Sequence, residues 1–404
     1  MDTQSIDIFT QARRIDPTLK LAPKHHAEMA RRQIHPVAFS REALFSAMAA
    51  GKLVVFTDVP VPVKGEQELG RRQAVFQSLR SGFRKRQTFR VRQGRDGERR
   101  QRLRVDELLR RWSGDRGLVN ITDLHIRGSK LFKSIDCSAL SDFNLLAGAR
   151  DRVGAEEMLT MVVSSAGVFT DSHSDVPDGS NHCFVGKKLW LVWDTFEGIA
   201  RNLEDVERSG TDRDQAAFNI SAFLAIPGSR WFVVADGQTL FLPGHFTHKV
   251  ITLEDYISIG SFFVMLPSYW RTLLRWTEHT PLWALNAPPG QRLAQVDQIT
   301  RRVTRKLKGL AAMPEREQVR WGVPHLISAV GEWRRNAGPD SLSALTPDSM
   351  RLVRAVFDFR NRTRRLAQAR SPAAQATVGV GWRNGEGIAL AEGYRWQAFD
   401  LSTA

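Results

Sequence analysis

A chain of 404 residues, 42% hydrophobic and 9% aromatic, carries enough apolar side chain to bury a large core, which separates it from disordered and fibrous classes. Two cysteines, Cys137 and Cys183, are too few for a disulfide framework and form no CxxC pair for a thiolate zinc site. The formal charge of +15 favours an anionic partner without choosing among nucleic acid, acidic protein and anionic membrane. No run of about eighteen apolar residues and no apolar leader segment is present, so a cytoplasmic protein with no membrane insertion is the expectation.

Residues 1–150 mix helical segments with short strands. SREALFSAMAAGK reads as a helix with Ser40 at its N-cap and Gly51 just past its end, and KLVVFTDV reads as a strand. Within this zone residues 71–112 hold fifteen Lys and Arg against four Asp and Glu, most of the surplus charge of the chain. A solvated arginine-rich face accounts for such a run, and so does a docking surface for an acidic partner. Without an RNP motif, zinc knuckle or GXXG loop, nucleic acid is the less favoured partner.

From 151 to 268 the pattern changes. MLTMVVSSAGVFT, HCFVG, KLWLVW, SRWFVVAD, QTLFLP, HKVITL and YISIGSFFVML are short β-branched and aromatic runs separated by turn-rich DVPDGSN, ADGQ and LPG. These are strands at sandwich or barrel spacing, interrupted at about 196–219 by a polar, helix-compatible insertion. From 269 to 404 the apolar spacing is helical in YWRTLLRWTEH, RLAQVDQITRRVTRKLKGLAAM and MRLVRAVFDFRNRTRRLAQA. The final stretch from Ser371 fits a small sheet or winged element. The expected class is α+β: a strand-rich core, N-terminal α/β elements packed on it, and a mainly helical C-terminal region.

The chemistry starts at TDSHSD. His173 and Asp175 are two apart on an extended segment, where side chains alternate, so both face one side and can share an ion. FLPGHFTHKVITL offers His245 and His248 as a third ligand, with His182 a further competitor. Two imidazoles and one carboxylate leave coordination positions open, the arrangement of non-haem Fe(II) oxygenases.

TDSHSD, GKKLW, ADGQTLFLPGHFTHKV and YISIGSFFVML follow one another in the order and spacing of the JmjC group of cupin-fold, Fe(II)- and 2-oxoglutarate-dependent oxygenases, and residues 158–266 resemble that family. The resemblance implies a double-stranded β-helix (jelly-roll) core with Fe(II) on His173, Asp175 and His248, the last five residues after Pro243. It implies 2-oxoglutarate and O2 as co-substrates, with Thr170 and Lys188 on the distal carboxylate; Lys187 competes for the lysine role. Ser261 stands where many members carry an asparagine near the co-substrate, and Asn181 either faces the pocket or belongs to a turn. Gly237-Gln238 replaces the usual Gly-Asp. Trp190, Phe241, Phe246, Phe262 and Phe263 are candidates to line the site or to serve as ordinary core.

The activity implied is hydroxylation of a C–H bond in an amino-acid side chain, within a peptide or protein or in an amino-acid-derived small molecule. N-methyl demethylation, RNA modification and a non-catalytic cupin-fold binding module are the alternatives. Amphipathic runs near 291–310 and 346–368 resemble the dimer-forming helices of the hydroxylase branch and suggest a homodimer.

Overall fold

The computed structural model describes residues 1–84, 86–93, 99–112, 117–126, 129–146, 158–175, 177–200, 218–278, 289–336, 345 and 347–370. The C-terminal element expected from Ser371 and most of the insertion at 196–219 lie outside these residues. The β-branched and aromatic runs form strands because alternate residues can be buried on one face while the backbone pairs laterally. In chain order they are β1 (Val54–Phe56), β2 (Thr88–Gln93), β3 (Arg99–Arg104), β4 (Val119–His125), β5 (Met158–Ser164), β6 (Phe169–Ser174), β7 (Asp178–Val185), β8 (Lys187–Asp194), β9 (Arg230–Ala235), β10 (Thr239–Leu242), β11 (Phe246–Thr252) and β12 (Tyr256–Phe263).

Eight strands form one sheet in the order β1-β10-β7-β12-β5-β4-β2-β3, and four form another in the order β6-β11-β8-β9. The registered pairs in both sheets are antiparallel. The protein is therefore α+β, and the sandwich-or-barrel spacing resolves, among the described residues, as two antiparallel sheets and no closed barrel. No helix among these residues is long and apolar enough to cross a membrane.

The chain divides into two compact units, one of Met1–Phe39, Leu53–Asp142 and Met158–Phe262, the other of Ser40–Lys52, Phe143–Glu157 and Phe263–Ala404. All twelve strands fall in the first, apart from the last residue of β12. Its β8 is buried on both faces, so its hydrophobic run is nearly continuous, yet the alternation still decides which side chain goes where. Trp190 and Val192 join Val55, Cys183, Phe232, Val234, Leu240, Leu242, Val250 and Tyr256 in a cluster drawn from both sheets. Leu189, Leu191 and Trp193 join a second cluster with Phe9, Ala12 and Ile15 of the helix Thr3–Ile15. Asp2 caps that helix by accepting the Ser5 N–H, and Phe9 meets Trp231 edge to face at 5.0 Å.

The turn between β7 and β8 depends on Gly186. Its φ of 91° lies in the left-handed region, its N–H donates to Asp236, and a Cβ built there would stand 2.0 Å from the Asp255 carbonyl oxygen. Because the obstacle is backbone, relaxation cannot remove it cheaply. Gly186→Ala is expected to cost about 3 kcal/mol or more, measured as a lower urea midpoint at unchanged slope.

The second unit is helical. Ser40 caps Arg41–Ala49 by accepting the Ala43 N–H, and Gly51 follows with φ 65°. The helices Leu266–Glu278, Pro289–Leu310, Val323–Asn336 and Pro347–Arg370 bury Tyr269, Trp270, Leu273, Val303, Leu307, Leu326, Val330, Leu352, Val356 and Phe359 in one cluster. The apolar stripes of the runs near 291–310 and 346–368 are thus engaged inside the unit, which accounts for their helical periodicity.

Candidate metal centre and adjoining polar layer

Strands β6 and β11 bring the first two ligand candidates together. Their register sets His173 directly opposite His248, and the ring centroids lie 4.2 Å apart. Asp175 follows the end of β6, and its Oδ2 is 3.8 Å from His248 Nε2. One ligand atom from each of His173, Asp175 and His248 falls within 4.8 Å of the others, a group that can hold a metal ion. The tautomers suit this. His173 Nδ1 is 2.8 Å from the Asp171 carbonyl oxygen and His248 Nδ1 is 3.3 Å from that of Phe246. A carbonyl only accepts, so both Nδ1 atoms carry the hydrogen and both Nε2 lone pairs are left for a cation. Burial, then the neighbouring His173, holds His248 well below the usual imidazole range, so it stays neutral and able to ligate.

Thr170 reaches the same side through an irregularity. Strict alternation puts residues three apart on opposite faces, but the β6–β11 register shifts so that Thr170 pairs Val250 while His173 pairs His248. Val250 and His248 are two apart and share a face, so the extra residue in β6 turns Thr170 to that face as well.

Lys188 lies on β8, opposite Thr252, while Val192 lies opposite His248. Four residues along the strand correspond to about 13 Å between the backbone positions of the lysine and the metal group. The Lys188 side chain is buried, donates to Ser164 Oγ at 3.0 Å and stands 4.6 Å over the Tyr256 ring. Burial pushes its pKa down from 10.5 to about 7, and no carboxylate pairs with it among the described residues. Lys249 makes the contrast. It is equally buried but paired with Asp16 at 2.9 Å and Asp171 at 3.3 Å. Lys187 faces the other way and pairs with Glu254 at 2.8 Å.

A polar row crosses the large sheet beside Lys188. Asn120 on β4 is opposite Ser164 on β5, which is opposite Tyr256 on β12. Ser164 Oγ donates to Asn120 Oδ1 at 2.7 Å, and Asn120 Nδ2 approaches Thr170 Oγ1 at 3.5 Å. On the other side Tyr256 OH donates to Asn181 Oδ1 at 2.6 Å, and Asn181 Nδ2 donates to Ser258 Oγ at 3.0 Å. Thr170 and Lys188 are therefore linked by hydrogen bonds through Asn120 and Ser164, and Asn181 joins the same layer through Tyr256, whose ring lies under the Lys188 ammonium. Asn120, Ser164, Tyr256 and Ser258 belong to it too, although no sequence signal marked them.

The remaining candidates are placed elsewhere. Ser261 has the opposite parity to Tyr256 and Ser258 on β12 and so lies on the other face from the polar row; it is buried, with its hydroxyl donating to the Phe262 carbonyl oxygen. His182 binds Thr239 Oγ1 through Nδ1 at 2.7 Å, and burial pushes it to about 3, so it is neutral at physiological pH and apart from the metal group. His245 has φ 66° and uses its backbone instead: its N–H donates to the Asp175 carbonyl and its own carbonyl accepts from Thr195, which ties down the segment carrying Asp175. Trp190 lies 5.2 Å from the His248 ring, and its buried indole N–H has no partner among the described residues. Phe246 packs on the cluster between the sheets and Phe262 lies beside Gly179, whereas Phe241 meets Phe56 and Phe263 meets Phe143.

What fold and site define together is a class, an α+β protein with a two-histidine, one-carboxylate group able to hold a metal ion and, further along the neighbouring strand, a buried lysine with no carboxylate partner among the described residues. Comparison with models of known families and with curated proteins gives no match.

Proposed function

We propose that the chain is an Fe(II)- and 2-oxoglutarate-dependent oxygenase with a jelly-roll core, hydroxylating a C–H bond of an amino-acid side chain in a peptide, a protein or an amino-acid-derived small molecule. The observation that carries this reading is Lys188: a buried lysine with no carboxylate partner among the described residues, in the polar layer that reaches Thr170, which shares a face with His173 and His248. Leaving such a group unpaired is costly, and a site retains it when a ligand supplies the anion. The strand order supports the jelly-roll reading, since β5, β7, β10 and β12 share one sheet while β6, β8, β9 and β11 share the other.

The residues fit the groups this reading requires. Two imidazoles presenting Nε2 and one carboxylate suit Fe(II) and leave positions free for other ligands. Lys188 supplies charge-assisted hydrogen bonds to the distal carboxylate of a dicarboxylic acid, with the Thr170 hydroxyl as a second donor. Asn120 and Ser164 hold both donors in place, and the Trp190 N–H offers a further hydrogen bond to an acceptor beside His248. Phe246 and Phe262 help to keep bulk water from the layer. When bound, the metal and co-substrate supply the oxidising chemistry, in which O2 and 2-oxoglutarate give succinate and CO2 while one oxygen atom enters the substrate C–H bond. The chain's own contribution is ligation, orientation and exclusion of water.

Anaerobic addition of Fe(II) and then 2-oxoglutarate is expected to produce a visible metal-to-ligand charge-transfer band. Its absence at saturating concentrations of both would return the protein to the reading of a binding module without turnover. Incubation in air with candidate peptides and metabolites is expected to yield a product heavier by one oxygen atom; loss of a methyl group instead identifies the demethylase alternative.

A further inference from the structure

The hairpin of β2 and β3 divides its residues cleanly between two faces. Val91 and Leu103 are buried on one side, where Phe89 packs edge-on against Phe83 at 4.7 Å. On the other side Arg90, Arg102 and Arg104 are exposed and Arg92 is half-buried. The register sets Arg90 directly opposite Arg102 and Arg92 opposite Arg100. Like charges opposite one another in an antiparallel pair are destabilising, so this arrangement is unfavourable for the isolated chain.

Neighbouring arginines of the basic segment are compensated. Arg71 pairs with Glu66, Arg80 with Asp106, and Arg110 and Arg111 with Glu107. Arg90, Arg92 and Arg104 have no acidic partner among the described residues, and Arg102 donates only to Thr88 Oγ1, at 3.1 Å. Arg72, Arg84 and Arg86 also lack an acidic partner among the described residues, but the hairpin gathers four such arginines on one face. That face is continuous with the candidate site. Arg92 pairs with Asn120, and paired residues point to the same side, so the arginines extend the face of the large sheet that carries Asn120, Ser164 and Tyr256.

Two features decide the kind of partner. Strand β3 ends the sheet, and among the described residues no strand pairs with its outer edge. It contains neither proline nor an irregularity of register, so alternate backbone N–H and C=O groups along it are open to a further strand, which only a polypeptide can supply. The face also lacks an aromatic side chain for base stacking, since Phe89 points to the other side, and single-stranded nucleic acid relies on such platforms. An added strand with carboxylates on alternate residues repeats every ~6.7 Å, in step with the arginines along β3.

We infer that the outer edge of β3 binds an extended acidic segment of a polypeptide as an added strand, its alternate carboxylates meeting the arginines of the hairpin. The bound segment lies three strand spacings from Asn120, about 14 Å across the sheet. Its alternate carboxylates share the face of the sheet that carries Asn120, which places the segment to hold a substrate chain whose reacting residue is further along. The binding step itself does not depend on the metal chemistry.

The test uses the full chain without metal or 2-oxoglutarate and a fluorescein-labelled peptide alternating glutamate with threonine, read by anisotropy. Binding is expected, with a loss of at least about tenfold in Arg102→Glu and a smaller loss in Arg102→Gln, while Arg316→Glu, an equal charge change in the helical unit, leaves affinity within about twofold. The same peptide N-methylated at alternate residues keeps its charge but cannot pair as a strand, and is expected to bind at least about tenfold more weakly. Equal binding of the N-methylated peptide, tighter binding of an oligonucleotide of matched charge, or equal losses in Arg102→Glu and Arg316→Glu would each overturn the inference.

Discussion

Lys188→Met is expected to abolish tight binding of 2-oxoglutarate and, in the ligand-free protein, to raise stability. The fall in the Lys188 pKa from 10.5 to about 7 corresponds to roughly 5 kcal/mol against the charged form at neutral pH. The Ser164 hydroxyl and the Tyr256 ring offset part of that cost, so the gain on replacing the ammonium by a thioether of similar length is about 1–3 kcal/mol. Against this, losing a charge-assisted contact to a carboxylate in a dry site weakens the co-substrate by about 100-fold or more.

The pH dependence carries the same signature. The folded pKa is depressed, so between about pH 7 and 10.5 the unfolded chain holds more protons at this position than the folded one. Lys188 therefore contributes an increase in stability with rising pH across that window and a flat contribution below it; the variant lacks the slope. Binding an anion requires the ammonium, so 2-oxoglutarate affinity in the wild type falls as pH rises above about 7. Denaturation midpoints and calorimetric titrations over this range read both effects. A variant that is less stable and binds 2-oxoglutarate normally would show that Lys188 is a structural lysine, and the oxygenase proposal would lose its main support.

Most strands from Met158 onward are readable as compact β-branched or aromatic runs bounded by turn residues, but β6 is largely polar and β7 starts at Asp178, inside the DVPDGSN stretch that composition reads as a turn. Strands β2 and β3 were hidden, since arginine on every second residue masks an alternation whose apolar members are only Phe89, Val91 and Leu103. At the site, strand spacing puts His173 and Asp175 on one face, a pattern that is common by chance, and only the family resemblance separates His248 from His245 as the third ligand that the structure brings beside them. Asn120, Ser164 and Ser258 could not be picked out: isolated Asn and Ser residues are common, and only pairing across β4, β5 and β12 gathers them around Lys188. The membership of Ser258, rather than Ser261, in the polar row has the same origin. A strand's period of two fixes which residues share a face, but which face is inward depends on partners far along the chain. Likewise the extra residue in β6 that turns Thr170 toward His173 is a property of its pairing with β11, and a single strand read alone does not reveal it.

His173→Ala is expected to remove metal binding and with it all succinate formation from 2-oxoglutarate, while leaving the fold intact. His173 is half-exposed and its ring makes one hydrogen bond, to the Asp171 carbonyl, so its loss costs little in packing. His248 is different. It is buried against Trp190 and His173, and truncation there opens a cavity as well as removing a ligand, so His248→Gln separates ligation from packing better than His248→Ala. Equilibrium dialysis with Co(II), whose visible spectrum reports coordination, is expected to show affinity lower by about 100-fold or more in His173→Ala and His248→Gln. Lys188→Met should bind Co(II) as the wild type does, because its backbone stands about 13 Å along the strand from the position opposite His248 and its amine makes no contact with the three ligands. The two ends of the layer thus fail separately, one losing the metal and the other the dicarboxylic acid. Wild-type Co(II) affinity in both histidine variants would show that the close approach of His173, Asp175 and His248 is packing alone, whatever Lys188 binds.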